Sequence, residues 1–203
     1  PAARKHLESR ALMLDEARLH AREMGHPHGA LYAWRTIAGA ECSSYFPSGS
    51  AQYHLNGAIA HAFLDYWDAT GDLAFMEKTG LPVLLETARL WMDAGHWHEG
   101  AFRIDSVTGP DEYSCVVNNN YCANRSAQAH LRGLLRLPDA LQNAGKNGPV
   151  LGFEPGEPEA FSRAAEGMYL PLDSKLGILA QDDTFLRKKS WTWAPSPRNI
   201  SPC

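Results

Sequence analysis

The sequence predicts an all-α fold, a toroid of helices whose connecting loops gather at one end. About six segments carry apolar residues at helical spacing, and only one short segment alternates as a β-hairpin would. No succession of strands and helices indicates a parallel sheet. The long loops between the helices are rich in aromatic and polar residues, and loops of that kind often carry function.

The first predicted helix covers residues 6–24. Leu7, Ala11 and Leu14 recur at helical spacing, and Gly25 is a typical C-terminal stop. The irregular segment 30–49 follows and contains Trp34 and Arg35. On an exposed loop these two side chains would suit stacking on a sugar ring and hydrogen bonding to its hydroxyls, whereas the alternative is that Trp34 only pins the loop to the core.

The second predicted helix covers residues 50–70, with Ser50 as its N-cap and Gly71 at its end. Apolar residues occupy much of its circumference, so we expect it to be deeply buried. His54 and Asn56 are polar residues near its start. They are either hydrogen-bonded core residues or groups that point towards a site, and the sequence leaves both interpretations open.

Asp72 is predicted to cap a third helix over residues 73–80, and Pro82 to begin a fourth that Gly95 ends. Residues 95–105 alternate well enough for a short β-hairpin with Glu99 and Gly100 at its turn. This hairpin leads into the loop described next.

Residues 105–120, which we call the acid loop, combine carboxylates, amides and an aromatic ring behind a Gly-Pro turn. A carboxylic acid among aromatics and amides is typical of carbohydrate enzymes, because the acid protonates a glycosidic oxygen while amides bind sugar hydroxyls. The alternative is a capped turn in which Asp111 or Asn118 binds nearby backbone amides. The candidate residues are Asp111, Glu112, Tyr113, Asn118 and Asn119.

Helical character returns over residues 122–144, where Pro138 should kink or split the helix. Residues 145–158 read as a loop, and residues 159–168 as a short helix. An extended stretch then continues to Gln181.

Composition indicates an ordinary globular protein and excludes some classes of partner. The 203 residues carry a net charge of −4 without a basic run, so neither nucleic acid nor a membrane surface is an expected partner. The four cysteines form no CxxC pair and indicate reduced thiols in a cytoplasmic protein. The nine histidines are scattered, and no metal site is predicted.

Several motifs occur in an order that resembles a known family: YAWRTIAGAECSSYFPSGSAQYHLN, ATGD, ETARLW, VTGPDEY and VNNNY. Together they resemble the central catalytic domain of glycoside hydrolase family 65. That family includes maltose, kojibiose, nigerose and trehalose phosphorylases and some trehalose-type hydrolases. The resemblance extends over residues 4–189.

The resemblance implies an (α/α)6 barrel, incomplete in this chain, with the short β-hairpin before the acid loop. It implies that Glu112 is the catalytic acid of an inverting reaction on an α-glucosidic disaccharide. A neighbouring charge, for which Asp111 is a candidate, or burial would raise the pKa of Glu112. Supporting contacts to the sugar are implied for Trp34, Arg35, Tyr53, His54, Asp111, Tyr113, Asn118 and Asn119.

The same resemblance implies the partners and the alternatives. Inorganic phosphate is the co-substrate, no metal or organic cofactor is needed, and the full-length relatives suggest a homodimer. An inverting hydrolase would instead need a second carboxylate that activates water, for which Asp111 and Glu41 are candidates.

The resemblance also predicts the extent of the domain. Residues 1–189 are expected to form part of the barrel, and residues 190–203 a divergent tail. The family's phosphate loop and a sugar-binding segment that follow in relatives are not in the sequence. We therefore expect the isolated chain to be a fragment with little or no phosphorolysis and a tendency to self-associate.

Overall fold

The computed structural model describes residues 2–43, 47–111, 115–145 and 152–189. The candidate residues Glu112 and Tyr113 lie outside the described residues, as do residues 190–203 of the predicted tail. The fold is mostly helical, as predicted, and the described residues form three small two-stranded sheets where the sequence predicted a single hairpin.

The N-terminal region forms two helices, α1 (Ala2–Leu12) and α2 (Leu14–Glu23). The prediction of one continuous helix is wrong at Met13. In a continuous helix the Leu14 amide would donate to the Arg10 carbonyl. That carbonyl instead accepts from the Met13 amide at 3.1 Å and from the Tyr32 hydroxyl at 2.9 Å.

The following loop contains a minimal hairpin of β1 (Thr36–Ile37) and β2 (Ala40–Glu41) and a 3₁₀ turn (Pro47–Gly49). The next helix is α3 (His54–Thr70), which begins four residues later than predicted and is not capped by Ser50. It ends, as predicted, at Gly71 in the left-handed conformation. The expected deep burial holds for one side only, because Ala58, Ala62, Asp65 and Ala69 are exposed.

The central helices follow the prediction closely. The Asp72 carboxylate accepts from the Phe75 amide at 3.0 Å and caps α4 (Leu73–Phe75), which continues through a π turn (Met76–Gly80) into α5 (Leu81–Ala94). Strands β3 (Gly95–His98) and β4 (Ala101–Ile104) then pair antiparallel. Glu99 and Gly100 form their turn with positive φ angles, which confirms the predicted hairpin.

The C-terminal half contains α6 (Tyr121–Leu134), α7 (Arg136–Asn143) and α8 (Glu157–Glu166). The predicted split near Pro138 is confirmed, because a proline has no amide hydrogen to donate to the Leu134 carbonyl. The extended stretch contains a small hairpin, β5 (Leu172–Asp173) with β6 (Ile178–Leu179), and a 3₁₀ turn (Phe185–Arg187) follows.

Helix α6 occupies the middle of the fold and packs against α3, α5 and α8, while α1 packs on α3 and α2 on α5. Close approach of α3 and α6 depends on Gly57, where a Cβ would lie 2.4 Å from the Ser126 side chain. The largest fully buried side chains include Trp91, Phe63, Phe102 and Phe161. Within the described ranges, no helix is both long enough and apolar enough to cross a membrane.

Candidate active site

Backbone hydrogen bonds join the two ends of the acid loop at Val107 and Val117, and we call this bonded pair its neck. Val107 and Val117 exchange two backbone hydrogen bonds of 2.9 and 2.8 Å, and the Asn119 amide donates to the Ile104 carbonyl at 2.9 Å. Strand β4 enters this neck and α6 leaves it. The two strands of chain that flank the loop, at Val107 and Val117, are therefore bonded together.

The acid loop is also bonded to the segment that begins α3. The Thr108 amide donates to the Ala51 carbonyl at 3.0 Å, and the Thr108 hydroxyl donates to the Ser48 carbonyl at 2.6 Å. The Ala51 carbonyl accepts a second hydrogen bond, from the Tyr53 amide at 3.1 Å. Thr108, which precedes the Gly-Pro turn, is thus bonded to the segment before α3 at two points.

His54, the first residue of α3, is half-buried beside this junction. Its Nδ1 atom is buried and has no hydrogen-bond partner among the described residues. Burial lowers the pKa of His54, with the backbone of Thr108 opposing the shift. A neutral imidazole at this position is able to donate to, or accept from, a sugar hydroxyl.

Tyr53 is buried, although its predicted role is to contact the sugar. Its side chain is 7% exposed, and its hydroxyl lies 2.8 Å from the Nε2 atom of His26. The other ring nitrogen of His26 lies 2.7 Å from the Asp93 carboxylate. Burial raises the pKa of the Tyr53 hydroxyl, and the Asp93 charge adds to the shift. The hydroxyl is therefore a neutral group that binds the protein itself.

Trp34 and Arg35 lie near the same junction. Trp34 is half-buried and contacts the 3₁₀ turn so closely that a Cβ at Gly49 would lie 3.0 Å from its ring. The guanidinium of Arg35 lies 4.4 Å from the Trp34 ring centre, and Arg35 itself is exposed. Trp34 thus packs against the turn, as one interpretation predicted, while Arg35 is exposed, as the other requires. The two side chains form a cation–π pair.

The two candidate asparagines differ in what their amides do. Asn118 is exposed, and its side-chain oxygen accepts from the Ser106 amide at 3.0 Å. Asn119 is buried and donates to the Asp183 carboxylate at 2.8 Å, while it accepts from the Asn124 amide at 3.2 Å. Asn119 therefore joins the acid loop to α6 and to the segment around Asp183.

Residues 181–183 lie along the acid loop. The Gln181 side-chain amide donates to the exposed Asp111 carboxylate, and the Gln181 carbonyl accepts from the Tyr121 amide at 2.9 Å. The Asp183 amide donates to the Asn118 carbonyl at 3.3 Å. Sequence reasoning missed these contacts, and the run of amide and acid after β6 was the signal that could have drawn attention to them.

Glu41, a candidate second carboxylate, has one oxygen hydrogen-bonded within the described residues and one buried oxygen without such a bond. One of its oxygens accepts from the Ser43 amide, and the other lies 3.6 Å from Nε2 of His20. The His20 ring binds the Leu31 carbonyl through Nδ1 at 2.9 Å. The Glu41 carboxylate thus faces a buried histidine, and its side chain is only 14% exposed.

The structure places the described candidate residues in two groups. One group surrounds the start of α3, and the other lies against residues 181–183. The described residues contain no group of three or more His, Cys, Asp or Glu side chains arranged to hold a metal ion. The first group is Trp34, Arg35, Tyr53 and His54, and the second is Asp111, Asn118 and Asn119.

Comparison with known proteins places this arrangement in a family. The model of the glycosyl hydrolase family 65 central catalytic domain matches residues 1–200. Among curated proteins, an alpha,alpha-trehalose phosphorylase of Geobacillus stearothermophilus is 48% identical over 98% of the chain. Another alpha,alpha-trehalose phosphorylase, from Thermoanaerobacter brockii, is 41% identical over 94% of the chain.

Similarity to a solved structure agrees with this assignment at the level of the fold. A structure assigned to a kojibiose phosphorylase from human microbiome superposes with a TM-score of 0.78 over 92% of the chain, at 22% identity. The chain covers 27% and 26% of the two trehalose phosphorylases and 25% of that structure, so it spans about a quarter of the proteins it matches. The sequence motifs, the helical fold and the match over residues 1–200 show that this chain belongs to glycosyl hydrolase family 65, in its central catalytic domain.

Proposed function

We propose that this chain supplies the acid-bearing part of an active site that cleaves trehalose with inorganic phosphate. The observation that carries the proposal is the family match through VTGPDEY, together with 48% identity to a trehalose phosphorylase. The fixed neck of the acid loop supports it, since a general acid must be held within hydrogen-bonding reach of the glycosidic oxygen.

In the proposed reaction Glu112 donates its proton to the glycosidic oxygen as the bond from that oxygen to the anomeric carbon breaks. A phosphate oxygen forms the new bond to the anomeric carbon from the opposite face, which inverts its configuration. The products are β-glucose 1-phosphate and glucose. The proton that hydrogen phosphate releases on forming the ester balances the proton that Glu112 gave away.

The described contacts favour phosphorolysis over hydrolysis. An inverting hydrolase needs a second carboxylate, roughly 6.5–9.5 Å from the acid, that is available to deprotonate water. The Glu41 carboxylate binds the Ser43 amide and faces His20, and Asp111 lies in the acid loop itself and binds Gln181. Each carboxylate thus has a partner within the described residues, and we assign neither as the base. Phosphate as the nucleophile removes the need for one.

The proposal is tested in a chimera, because the relatives contain about four times as much chain as this segment. Residues 1–189 replace the matching segment of the Geobacillus stearothermophilus trehalose phosphorylase. We expect glucose 1-phosphate release from trehalose that requires phosphate, with kcat/KM within about tenfold of the parent enzyme. The parent enzyme is the control, assayed in parallel with trehalose, maltose and kojibiose.

Two results would redirect the proposal. Release of glucose without phosphate would identify a hydrolase. A shift of preference from trehalose to maltose or kojibiose, relative to the parent enzyme, would identify a different disaccharide as the substrate of this segment.

A further inference from the structure

A chain of three side chains joins distant segments just behind the candidate site. His26 follows α2, Asp93 lies near the end of α5, and Tyr53 directly precedes α3. The Nδ1 atom of His26 lies 2.7 Å from the Asp93 carboxylate, and its Nε2 atom lies 2.8 Å from the Tyr53 hydroxyl. The His26 and Tyr53 rings meet edge-on at 83°.

The chemistry of the carboxylate fixes the direction of the first hydrogen bond. A carboxylate oxygen accepts, so the Nδ1–H group of His26 donates to Asp93. The other ring nitrogen, Nε2, is then the atom that hydrogen-bonds the Tyr53 hydroxyl. A carboxylate that orients an imidazole in this way sets which of its nitrogens binds the next group.

This chain continues by hydrogen bonds into the acid loop. The Tyr53 amide donates to the Ala51 carbonyl at 3.1 Å, and the same carbonyl accepts from the Thr108 amide at 3.0 Å. The Thr108 hydroxyl adds a bond of 2.6 Å to the Ser48 carbonyl. An unbroken path therefore runs from Asp93 through His26 and Tyr53 to the residue that precedes the GPDEY turn.

We propose that His26 and Asp93 are positioning residues that hold the start of α3, and through it the base of the acid loop, by fixing the Tyr53 hydroxyl. Their importance for catalysis rests on the proposed function, but their effect on the acid loop is measurable without any sugar. The motifs that identified the family contain Tyr53 and Thr108 but neither His26 nor Asp93.

Ring packing alone does not replace the hydrogen bond between His26 and the Tyr53 hydroxyl. The Tyr53 ring is buried, and the His26 ring meets it edge-on. Tyr53→Phe removes only this hydrogen bond and keeps a ring in place. His26→Phe keeps a ring too, but it removes both this bond and the bond from Nδ1 to Asp93. In the double variant no hydrogen bond is lost beyond those already absent in His26→Phe.

The test is amide hydrogen exchange of the 203-residue chain, followed residue by residue with NMR. We expect the Thr108 and Val117 amides to exchange about tenfold faster in Tyr53→Phe and in His26→Phe, because the loop base opens more readily. We expect the double variant to exchange no faster than His26→Phe, because the Tyr53 hydroxyl has already lost its partner there. Amides in the interior of α6 should keep their rates.

His28→Phe is the matched control, because His28 is an exposed histidine two residues away that does not bind Tyr53. It should leave the Thr108 and Val117 amides unchanged. Additive effects in the double variant, equal acceleration throughout α6, or unchanged rates at Thr108 and Val117 would each overturn the proposal.

A second readout in the chimera separates positioning from simple loss of stability. His26→Phe should lower kcat/KM for trehalose by about tenfold, and much less for α-glucosyl fluoride, whose leaving group departs without a proton. Equal losses on both substrates would overturn the proposal. A chimera without any activity would count against the proposed function, while the exchange experiment would still decide the role of His26.

Discussion

His130 lies fully buried in α6, and both of its ring nitrogens are bonded. The Trp91 indole donates to Nδ1 at 3.0 Å, and Nε2 donates to the Leu84 carbonyl at 3.0 Å. Burial lowers the pKa of His130 to about 3, and the charge of His61 acts in the same direction. The side chain is therefore neutral and joins α6 to α5.

This burial makes stability depend on pH in a defined direction. The unfolded chain takes up a proton at this histidine near pH 6.5, whereas the folded chain takes it up only near pH 3. Between these values the unfolded state binds the extra proton, so the free energy of unfolding falls as the pH falls. From pH 7 to pH 5 the contribution of this residue is a loss of about 2 kcal/mol.

The measurement compares urea unfolding of the wild-type chain and of His130→Gln at both pH values. We expect the wild-type chain to lose about 2 kcal/mol more than the variant between pH 7 and pH 5. His98→Gln, at an exposed position, should behave as the wild-type chain does. Equal losses in the wild-type chain and in His130→Gln would show that this histidine is not held neutral.

His54 and Asn56 show what the sequence alone could not determine. Both interpretations of His54 and Asn56 were open, and the structure separates them. The Asn56 amide donates to the Ala30 carbonyl at 2.8 Å and accepts from the Tyr32 amide at 3.0 Å, as a buried structural residue does. His54 keeps a buried nitrogen without a partner among the described residues, beside the acid loop.

Local signals predicted the helices well where a local group determines the boundary. Asp72, Pro82 and the turn at Glu99 act on their own neighbours, and the elements they define are confirmed. The break at Met13 and the late start of α3 depend on partners far along the chain. Tyr32 competes for the Arg10 carbonyl, and Thr108 binds the segment before α3. No periodicity in the sequence reports such contacts.

The loop that follows α2 passes so close to the backbone of α5 that it requires a glycine at position 29. Gly29 has a φ of +81°, and a Cβ there would lie 2.4 Å from the Leu90 nitrogen and 2.7 Å from the Glu86 carbonyl oxygen. Both atoms belong to the backbone of α5 and have no rotamer with which to move away. The neighbouring Ala30 amide donates to the same Glu86 carbonyl at 3.0 Å.

We therefore expect Gly29→Ala to lower the free energy of unfolding by about 3 kcal/mol or more, measured with urea. Gly25→Ala is the matched control, because Gly25 has a φ of +90° but no atom within 4 Å of its Cβ position. The control should cost only about 1–2 kcal/mol, the conformational penalty alone. Similar losses in both variants would mean that contact with α5 does not constrain Gly29.

At the scale of the whole molecule, a network of charges ties three helices together. Arg18 of α2 binds Glu86 of α5 at 3.0 Å, and Arg89 of α5 binds Glu86 at 2.7 Å and Glu157 of α8 at 2.7 Å. Burial opposes ionisation of Glu86, but the two arginines outweigh it and lower its pKa. The network fixes the helices on the side of the molecule where His26 and Asp93 lie.

The exposed apolar surface is concentrated near the end of the described chain. Six exposed apolar side chains fall within residues 172–186, and they are Leu172, Leu176, Ile178, Leu179, Phe185 and Leu186. The helices around α6 do not close into a ring within the described residues. The expectation of self-association stays a prediction, and this is the surface on which it would act.

The residue types of the candidate site could be predicted from the sequence, but the hydrogen bonds between them could not. Ordered motifs identified the family and the acid loop, because they preserve the groups that carry the chemistry. The contacts of Thr108, Gln181, Asp183 and His26 could not be predicted, because each joins segments that are far apart in sequence. The contacts of Gln181 and Asp183 bind residues of the acid loop directly, whereas His26 reaches it only through Tyr53 and Ala51.

The central claim is that Glu112 acts as the general acid, and α-glucosyl fluoride tests it most directly. A general acid is needed when the leaving group is a sugar oxygen and not when it is fluoride. The variant is Glu112→Gln in the trehalose phosphorylase chimera, assayed with phosphate on trehalose and on α-glucosyl fluoride, with the unsubstituted chimera as the control.

We predict that Glu112→Gln lowers kcat on trehalose by about a thousandfold. On α-glucosyl fluoride it should retain most of the activity of the unsubstituted chimera. Full turnover of trehalose by the variant, or equal loss on both substrates, would contradict the assignment of Glu112 as the acid.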